Sequence, residues 1–254
     1  MAEHSEMVDV LEHYGEVFHP LVKLKVLGID MSINMAVITM WLAVILIMVF
    51  ILLAGRKTKL IPKPLQSMGE YIYLFIRDTI VLDMVGKEGL PWVPFLTTIF
   101  LFILVNNFLG LIPGLATPTA SIYLTSVLAL TVFFSVHITG AIKHGPIKYF
   151  RAVVLPEGAP LWLAPLFVPI EIISALAKPF SLMVRLFANM FAGHAVLLVF
   201  LGLIILYKSI IIAPIPLVIS VVVGLLEIFF KFLQAYIFTV LSAMYISDAI
   251  HGGH

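Results

Sequence analysis

Residues 31–55 read MSINMAVITMWLAVILIMVFILLAG and contain no Asp, Glu, Lys or Arg. A helix that crosses the hydrocarbon core of a bilayer needs about 20 consecutive apolar residues. The run is long enough, and the basic residues Arg56 and Lys57 follow it directly. It therefore predicts a transmembrane helix over residues 31–55.

The whole chain shares this apolar character. Of its 254 residues, 62% are hydrophobic and 11% are charged, whereas a soluble domain carries about 25% charged residues. Because so few polar groups cannot cover a globular surface, we expect an all-α integral membrane protein with a single membrane domain over residues 1–254. The net charge of +1 gives no indication of nucleic-acid binding, and the lack of cysteine excludes disulfides and Cys-ligated metals.

Two further regions follow the first span. Residues 61–87 mix charged with aromatic and aliphatic side chains, which predicts an amphipathic helix on the membrane surface. Residues 89–142 again lack Asp, Glu, Lys and Arg, and turn-forming residues around Pro113 and Pro118 divide them. This pattern predicts a transmembrane hairpin, in which Asn106 and Asn107 would satisfy nearby backbone groups.

The last hundred or so residues predict two long helices, over 161–207 and 214–250. At 1.5 Å per residue each is roughly 60 Å long, about twice the thickness of the hydrocarbon core. Each helix is therefore either broken into two or strongly tilted. Pro165, Pro169 and Pro179 allow bends in the first.

Charge predicts the orientation in the membrane. The basic segments 56–63 and 143–151 belong on the cytoplasmic side. The two spans of the hairpin between them place both segments on the same side, so the assignment is self-consistent. The acidic N-terminal segment, residues 1–30, is then extracytoplasmic, and its charge is the wrong sign for a cleavable signal peptide.

A stripe of polar residues runs along the first long helix. Its members recur every three or four residues and so lie within roughly 80° of arc. They are Glu171, Ser174, Lys178, Ser181, Arg185 and Asn189. A charge at the centre of a membrane helix costs at least ~2.5–3.5 kcal/mol, so the stripe faces a partner helix or water. We interpret Arg185, the deepest charge, as a residue of ion translocation, with a structural ion pair as the alternative.

The second long helix has a matching stripe. It comprises Glu227, Lys231, Gln234, Ser242 and Tyr245. His194 lies nine residues beyond Arg185 and points to nearly the opposite side of its helix, which predicts two separate wet regions rather than one pore. Glu227 also has a plainer interpretation, an ion pair with Lys231 one turn later. No phosphate-binding glycine loop, HExxH pair or G-x-S-x-G elbow indicates an enzyme.

Four blocks of this sequence resemble subunit a of the membrane sector (Fo) of F-type ATP synthases. They are AKPFSLMVRLFANMFAGH at 177–194, NNFLGLIPG at 106–114, PTA at 118–120 and LQAYIFTVL at 233–241. The Arg-Leu-Phe-x-Asn-Met core together with the Gln-Ala-x-Ile-Phe block is highly specific, and the resemblance covers residues 30–250. It implies two long, strongly tilted helices along a ring of c subunits.

The resemblance also implies roles for individual residues. Arg185 matches the essential arginine, which acts on the ring carboxylate and separates two offset half-channels. The outer half-channel positions are matched by Asn189, His194, Glu227 and Gln234. The inner half-channel positions are matched by Glu171, Ser174, Lys178, Ser181 and Tyr245. Such a subunit has no catalytic activity on its own, needs no cofactor or metal, and couples proton flow to ring rotation and ATP synthesis.

This sequence departs from some family members at three places. His194 and Glu227 are exchanged relative to those bacterial members that carry Glu and His there, which retains one imidazole and one carboxylate for a proton relay. Ser121 and Tyr123 stand where Asp and Asn are often found, which puts the part played by that loop at the outer entrance in doubt. Lys231 stands where an apolar residue is common, and we expect it to tune Glu227 rather than to carry ions.

The implied partners are the c-subunit ring, b-type peripheral stalk subunits, the rest of the synthase complex and membrane lipid, but no nucleic acid. The implied location is the inner (plasma) membrane of a bacterium. Two alternatives stay open at this stage. One is a sodium-translocating version of the same subunit, and the other is a stand-alone transporter or channel, although internal repeats typical of many transporters are not seen.

Overall fold

The structure, a computed structural model, describes residues 22–23, 25–26, 29–30, 32–55, 64–112, 114–154, 164–207 and 214–251. Within these residues, five helices are long and apolar enough to cross a membrane. The predicted all-α integral membrane fold is therefore confirmed, and the chain is a multi-pass membrane protein. The candidate spans are Met35–Gly55, Lys87–Leu109, Ile122–His144, Pro165–Leu197 and Pro216–His251.

The first spanning helix, α1 (Met35–Gly55), starts after the beginning of the uncharged run that predicts it. Ile33 pairs with Val22 in an antiparallel bridge, so the chain is still extended there. Asn34 then caps the helix, because its Oδ1 accepts a hydrogen bond of 3.0 Å from the Val37 amide. This bond satisfies one of the amides that a first helical turn leaves without a partner.

The segment expected to be an amphipathic helix over 61–87 forms α2 (Pro64–Leu74) and continues directly as a π-helix (Phe75–Leu82). The whole helical segment is followed by Gly86, whose φ of +78° lies in the left-handed region that glycine adopts readily. The Gly86 amide donates to the Val81 carbonyl at 3.0 Å and closes the last turn. The location of this segment on the membrane surface stays a prediction.

The region predicted as a hairpin contains two spanning helices. A 3-10 helix (Lys87–Trp92) leads into α3 (Val93–Leu109), and α4 (Ile122–His144) follows after a loop that carries a second 3-10 turn (Pro118–Ala120).

The first basic segment, residues 56–63, lies outside the described residues. The orientation in the membrane therefore stays a prediction.

The second basic segment, expected as a loop over 143–151, is mostly helical. Gly145 has a φ of +82° and separates α4 from α5 (Pro146–Val154). Proline suits the start of a helix because its missing N–H has no partner there in any case. Tyr149 of α5 packs over Gly140 of α4 so closely that a Cβ at residue 140 would lie 2.0 Å from the Tyr149 ring.

The two long helices are α6 (Ala164–Tyr207), with 44 residues, and α7 (Pro214–His251), with 38. Each is a single continuous helix, although Pro169 and Pro179 lie inside α6. Of the two possibilities raised by their length, a break into two shorter helices is excluded by the described residues. A strong tilt against the membrane stays a prediction.

The chain forms two compact units, and each is assembled from three separate segments. Unit 1 contains the described parts of Met1–Val49, Phe102–Ser121 and Phe187–Ala235. Unit 2 contains the described parts of Phe50–Leu101, Ile122–Leu186 and Tyr236–His254. In unit 1, a small antiparallel hairpin pairs β1 (Lys25–Val26) with β2 (Ile29–Asp30).

The contact between Gly140 and Tyr149 generates a stability prediction. Gly140→Ala forces α5 away from α4, and overpacking of this kind lowers the free energy of unfolding by about 1–3 kcal/mol. The matched control is Gly224→Ala in α7, where an added Cβ meets nothing within 4 Å and improves helix propensity. The midpoint of thermal unfolding of the purified protein is expected to fall for Gly140→Ala only. Equal midpoints for the two variants would show that the contact is unimportant.

Candidate functional site

Most of the predicted site residues lie in two groups of polar side chains, one in each unit. The first polar cluster, in unit 1, consists of Asn107, Thr117, Thr119, Asn189, His194, Glu227, Lys231 and Gln234. The second polar cluster, in unit 2, consists of His137, Tyr149, Glu171, Ser174, Lys178, Tyr245 and Asp248. Arg185 belongs to unit 2, and its side chain is exposed.

A buried ion pair is the centre of the first polar cluster. Lys231 Nζ lies 2.9 Å from Glu227 Oε1, and the two residues are one turn apart in α7. Lys231 is fully buried and Glu227 is 5% exposed. Two opposite charges can share a low-dielectric site only when each compensates the other. The ion pair suggested by the spacing of these residues is therefore present.

His194 joins this ion pair to the hairpin loop. Its Nδ1 lies 3.5 Å from Glu227 Oε1, and its Nε2 lies 2.6 Å from the Thr117 hydroxyl oxygen. His194 and Glu227 thus bring together an imidazole and a carboxylate, two side-chain types that serve as general acids and bases in proteins. Gly193, next to His194, lies against the Glu227 side chain.

Two amide side chains bind α7 to the rest of unit 1. Asn107 donates to the Lys231 backbone carbonyl at 3.1 Å, and its own Oδ1 accepts a hydrogen bond of 2.6 Å from Thr119. Asn189 donates to Gln234 Oε1 at 3.5 Å, the upper limit for a hydrogen bond. Asn107 therefore bonds to a distant helix rather than to the nearby backbone that we expected. Asn106 does bond to nearby backbone, the Phe102 carbonyl of its own helix, at 2.8 Å.

The second polar cluster lines a cavity of about 250 Å³. Lys178 Nζ lies 3.2 Å from Asp248 Oδ2 and 5.4 Å from the centre of the Tyr245 ring. The hydroxyl of Tyr149 lies 3.0 Å from His137 Nδ1. Burial, and then the negative charge of Asp248, raise the pKa of Tyr149. Its hydroxyl therefore stays protonated at neutral pH.

The structure brings most of the predicted residues together. The predicted outer half-channel residues all lie in the first polar cluster: His194, Glu227, Asn189 and Gln234. Their role in a half-channel stays a prediction. Of the predicted inner set, Glu171, Ser174, Lys178 and Tyr245 line the cavity. Ser181 is not among the lining residues and is exposed.

Sequence reasoning missed several members of the two clusters. Asp248 follows Tyr245 by three residues and extends the same stripe of α7, so its spacing could have indicated it. Thr117 and Thr119 carried no such signal, because their partners are on other elements. Within the described residues, no group of three or more His, Asp or Glu could hold a metal ion.

Arg185 belongs to neither of the two clusters. It is exposed, and it forms no hydrogen bond or ion pair with any residue that the structure describes. A permanently charged guanidinium in a spanning helix needs a partner or water. The described residues therefore provide no ion-pair partner for this charge.

The comparison with known families identifies the chain. The family described as ATP synthase A chain matches residues 37–247. The chain belongs to this family. Members named ATP synthase subunit a include one from Rhodospirillum rubrum, which is 42% identical over 232 residues, covering 91% of this chain and 95% of the relative. Another from Magnetococcus marinus is 40% identical over 255 residues, covering 98% and 96%. A third from Parvibaculum lavamentivorans is 39% identical over 252 residues, covering 97% and 95%.

The buried ion pair of the first polar cluster generates a prediction. Lys231→Met leaves the Glu227 carboxylate uncompensated in the protein interior, so the free energy of unfolding falls by about 3–5 kcal/mol. The double variant Lys231→Met, Glu227→Gln removes both charges and recovers most of this loss. The measurement is the thermal unfolding midpoint of each purified variant. A double variant as unstable as the single one would contradict the assignment of this pair as an ion pair.

Proposed function

We propose that this chain is the stator subunit a of a rotary F-type ATP synthase. It conducts protons through two offset half-channels to and from the carboxylates of a c-subunit ring, and so couples proton flow to ring rotation and ATP synthesis. The observation that carries the proposal is Arg185, an exposed guanidinium in a spanning helix with no partner among the described residues. Membership of the ATP synthase A chain family supports it.

Arg185 performs its role through charge. A ring carboxylate must be neutral while it faces lipid, because an ionised group in hydrocarbon is too costly. Beside Arg185 the carboxylate can ionise, because the nearby positive charge stabilises its charged form. It therefore gives up its proton on the inner side, and it can turn back towards lipid only after it takes a new proton on the outer side.

The same charge blocks a direct leak between the half-channels. A guanidinium holds its proton under all physiological conditions, so it does not relay protons as an acid or base. Lysine is a poorer substitute, because a buried ammonium group loses its proton readily. Arg185 thus separates the two paths and acts on the ring carboxylate at the same time.

The first polar cluster supplies the outer half-channel. His194 and Glu227 exchange the proton, and Asn189 and Gln234 solvate the path between them and the ring. Lys231 is not a carrier in this scheme. Its ammonium lies 2.9 Å from Glu227 Oε1 and forms a buried ion pair with this carboxylate.

The second polar cluster supplies the inner half-channel. A cavity of about 250 Å³ can hold several water molecules. Glu171, Ser174, Lys178 and Tyr245 line it and offer donors and acceptors to a proton that leaves the ring. Asp248 belongs with them, because it pairs with Lys178 in the same cavity. Ser181 does not line the cavity, so its proposed role on this path rests only on its position in the polar stripe of α6.

The proposal includes partners and location. The chain contacts the c-ring along α6 and α7, and b-type stalk subunits hold it against rotation. It resides in the inner membrane of a bacterium with its N-terminus outside and the basic segments 56–63 and 143–151 in the cytoplasm, and it has no catalytic activity of its own.

The role of Arg185 is tested by Arg185→Ala. The variant is expected to assemble normally and to lose ATP-driven proton pumping to background, because no fixed positive charge then drives the ring carboxylate to ionise. The control is Arg77→Ala, which removes a partly exposed arginine that forms an ion pair with its neighbour Asp78; pairs of this kind near the protein surface contribute little. A pH-sensitive dye in inverted membrane vesicles measures pumping, and co-purification measures assembly. Normal pumping by Arg185→Ala would refute the proposal.

The transported ion is tested in the same vesicles. ATP-driven acidification is expected to persist in sodium-free buffer and to be insensitive to a sodium ionophore, whereas a protonophore abolishes it. The physical reason is that the described residues of the first polar cluster provide an imidazole and carboxylate pair for proton exchange. Pumping that requires sodium would instead support the sodium-translocating version of this subunit.

A further inference from the structure

The hairpin loop between α3 and α4 contacts the proton-exchanging pair directly. The Thr117 hydroxyl oxygen lies 2.6 Å from His194 Nε2, while His194 Nδ1 lies 3.5 Å from Glu227 Oε1. The loop therefore holds one ring nitrogen at hydrogen-bond distance, and the other ring nitrogen faces the carboxylate of α7. A hydrogen bond to one nitrogen orients the imidazole and so determines which ring atom faces the second partner.

The loop holds Thr117 in place. A Cβ at Gly110 would lie 1.7 Å from the Thr117 hydroxyl oxygen, so only glycine fits beside it. Thr117 is 4% exposed, and its carbonyl accepts a hydrogen bond of 3.0 Å from the Ala120 amide. The hydroxyl therefore has little freedom to leave its position.

The same loop is tied to α7 on its other side. Thr119 donates to Asn107 Oδ1 at 2.6 Å, and Asn107 donates to the Lys231 carbonyl at 3.1 Å. All of these groups are buried. The hydrogen bonds thus connect the loop to the helix that carries Glu227, so Thr117 and Glu227 lie on either side of His194 as parts of one network.

We propose that Thr117 is a positioning residue of the outer half-channel, which fixes His194 so that its Nδ1 faces Glu227. The proposal rests on the proposed function, since it presupposes that His194 and Glu227 exchange the proton. It concerns the orientation of the carrier rather than the carrier itself. Thr117 itself does not carry the transported proton.

A hydroxyl suits this role because its oxygen can accept a hydrogen bond. When His194 is neutral with its proton on Nε2, the Thr117 oxygen accepts the Nε2–H, and the free lone pair of Nδ1 faces Glu227. A proton from the outer side is added at Nδ1 and then passes to the Glu227 carboxylate. This leaves a neutral acid and restores the starting imidazole with its proton on Nε2.

The charged groups around His194 are consistent with this sequence of steps. Glu227 and Lys231 face it from α7, and Thr117 faces it from the loop. The Lys231 ammonium lies 2.9 Å from Glu227 Oε1, so a positive charge stands beside the carboxylate that receives the proton. The loop contributes only the neutral hydroxyl to the ring, so its effect is on orientation and hydrogen bonding.

The test compares variants that keep or remove this hydroxyl in the intact synthase. Thr117→Val keeps the shape and removes the hydroxyl, and Thr117→Ser keeps the hydroxyl and removes a methyl group. We expect Thr117→Val to lower ATP-driven pumping and gradient-driven ATP synthesis by roughly two- to tenfold, the factor that one net hydrogen bond supplies. Thr117→Ser should restore most of the rate. Thr131→Val is the control, because the hydroxyl of Thr131 is exposed and donates to the Val127 carbonyl of its own helix.

Several results would overturn the inference. One is a Thr117→Val rate equal to that of the unsubstituted synthase, and another is an equal loss for Thr117→Val and Thr117→Ser, which would indicate a packing role. If Thr117→Val fails to assemble, Thr117→Ala removes the hydroxyl without placing a methyl group near His194, and its comparison with Thr117→Ser decides.

A second arm separates this inference from the proposed function. In a His194→Gln background Thr117→Val should add no further loss, since a residue that acts through His194 is coupled to it. A multiplied loss would show that Thr117 acts independently. If His194→Gln alone pumps normally, the proposed outer half-channel fails; if it is impaired while Thr117→Val is normal, only the role of Thr117 fails.

Discussion

The structure depends on one constraint, the cost of charge in hydrocarbon. A spanning helix cannot present Glu, Lys or Arg to lipid without a penalty of at least ~2.5–3.5 kcal/mol at its centre. Two kinds of solution occur in this chain. Glu227 and Lys231 compensate each other in the protein interior, whereas Arg185 is exposed and forms no ion pair with the described residues. The first solution produces a stable fold, and the second produces a surface that needs another molecule.

The same constraint explains why the polar residues are grouped. Each polar side chain in an apolar helix needs a partner, and grouping lets a few groups satisfy one another. In unit 1 the result is a network from Thr119 through Asn107 to the Lys231 backbone. In unit 2 it is a cavity that Lys178 and Asp248 share. Networks that satisfy the hydrogen-bonding groups of polar side chains also contain the donors and acceptors that proton movement requires.

The sequence predicted the helices well because long apolar runs have few alternatives. It predicted the polar stripes because the helical period is regular, and those stripes contain most of the candidate site. It did not predict where α1 begins, since the Asn34 cap is a local contact, nor that α5 is helical. It could not predict the pairing of Thr117 with His194, 77 residues apart, or of Asn107 with Lys231, 124 residues apart. Such contacts depend on how the helices pack against each other, and the spacing of residues along one helix does not predict that packing.

The functional conclusion depends on Arg185, which forms no hydrogen bond or ion pair with the described residues. The most direct measurement is a structure of the whole membrane sector at a resolution that shows side chains. We predict a carboxylate from a ring of small subunits within direct or water-mediated hydrogen-bond distance of the Arg185 guanidinium. Lipid tails, or side chains of this chain alone, around Arg185 would contradict the account.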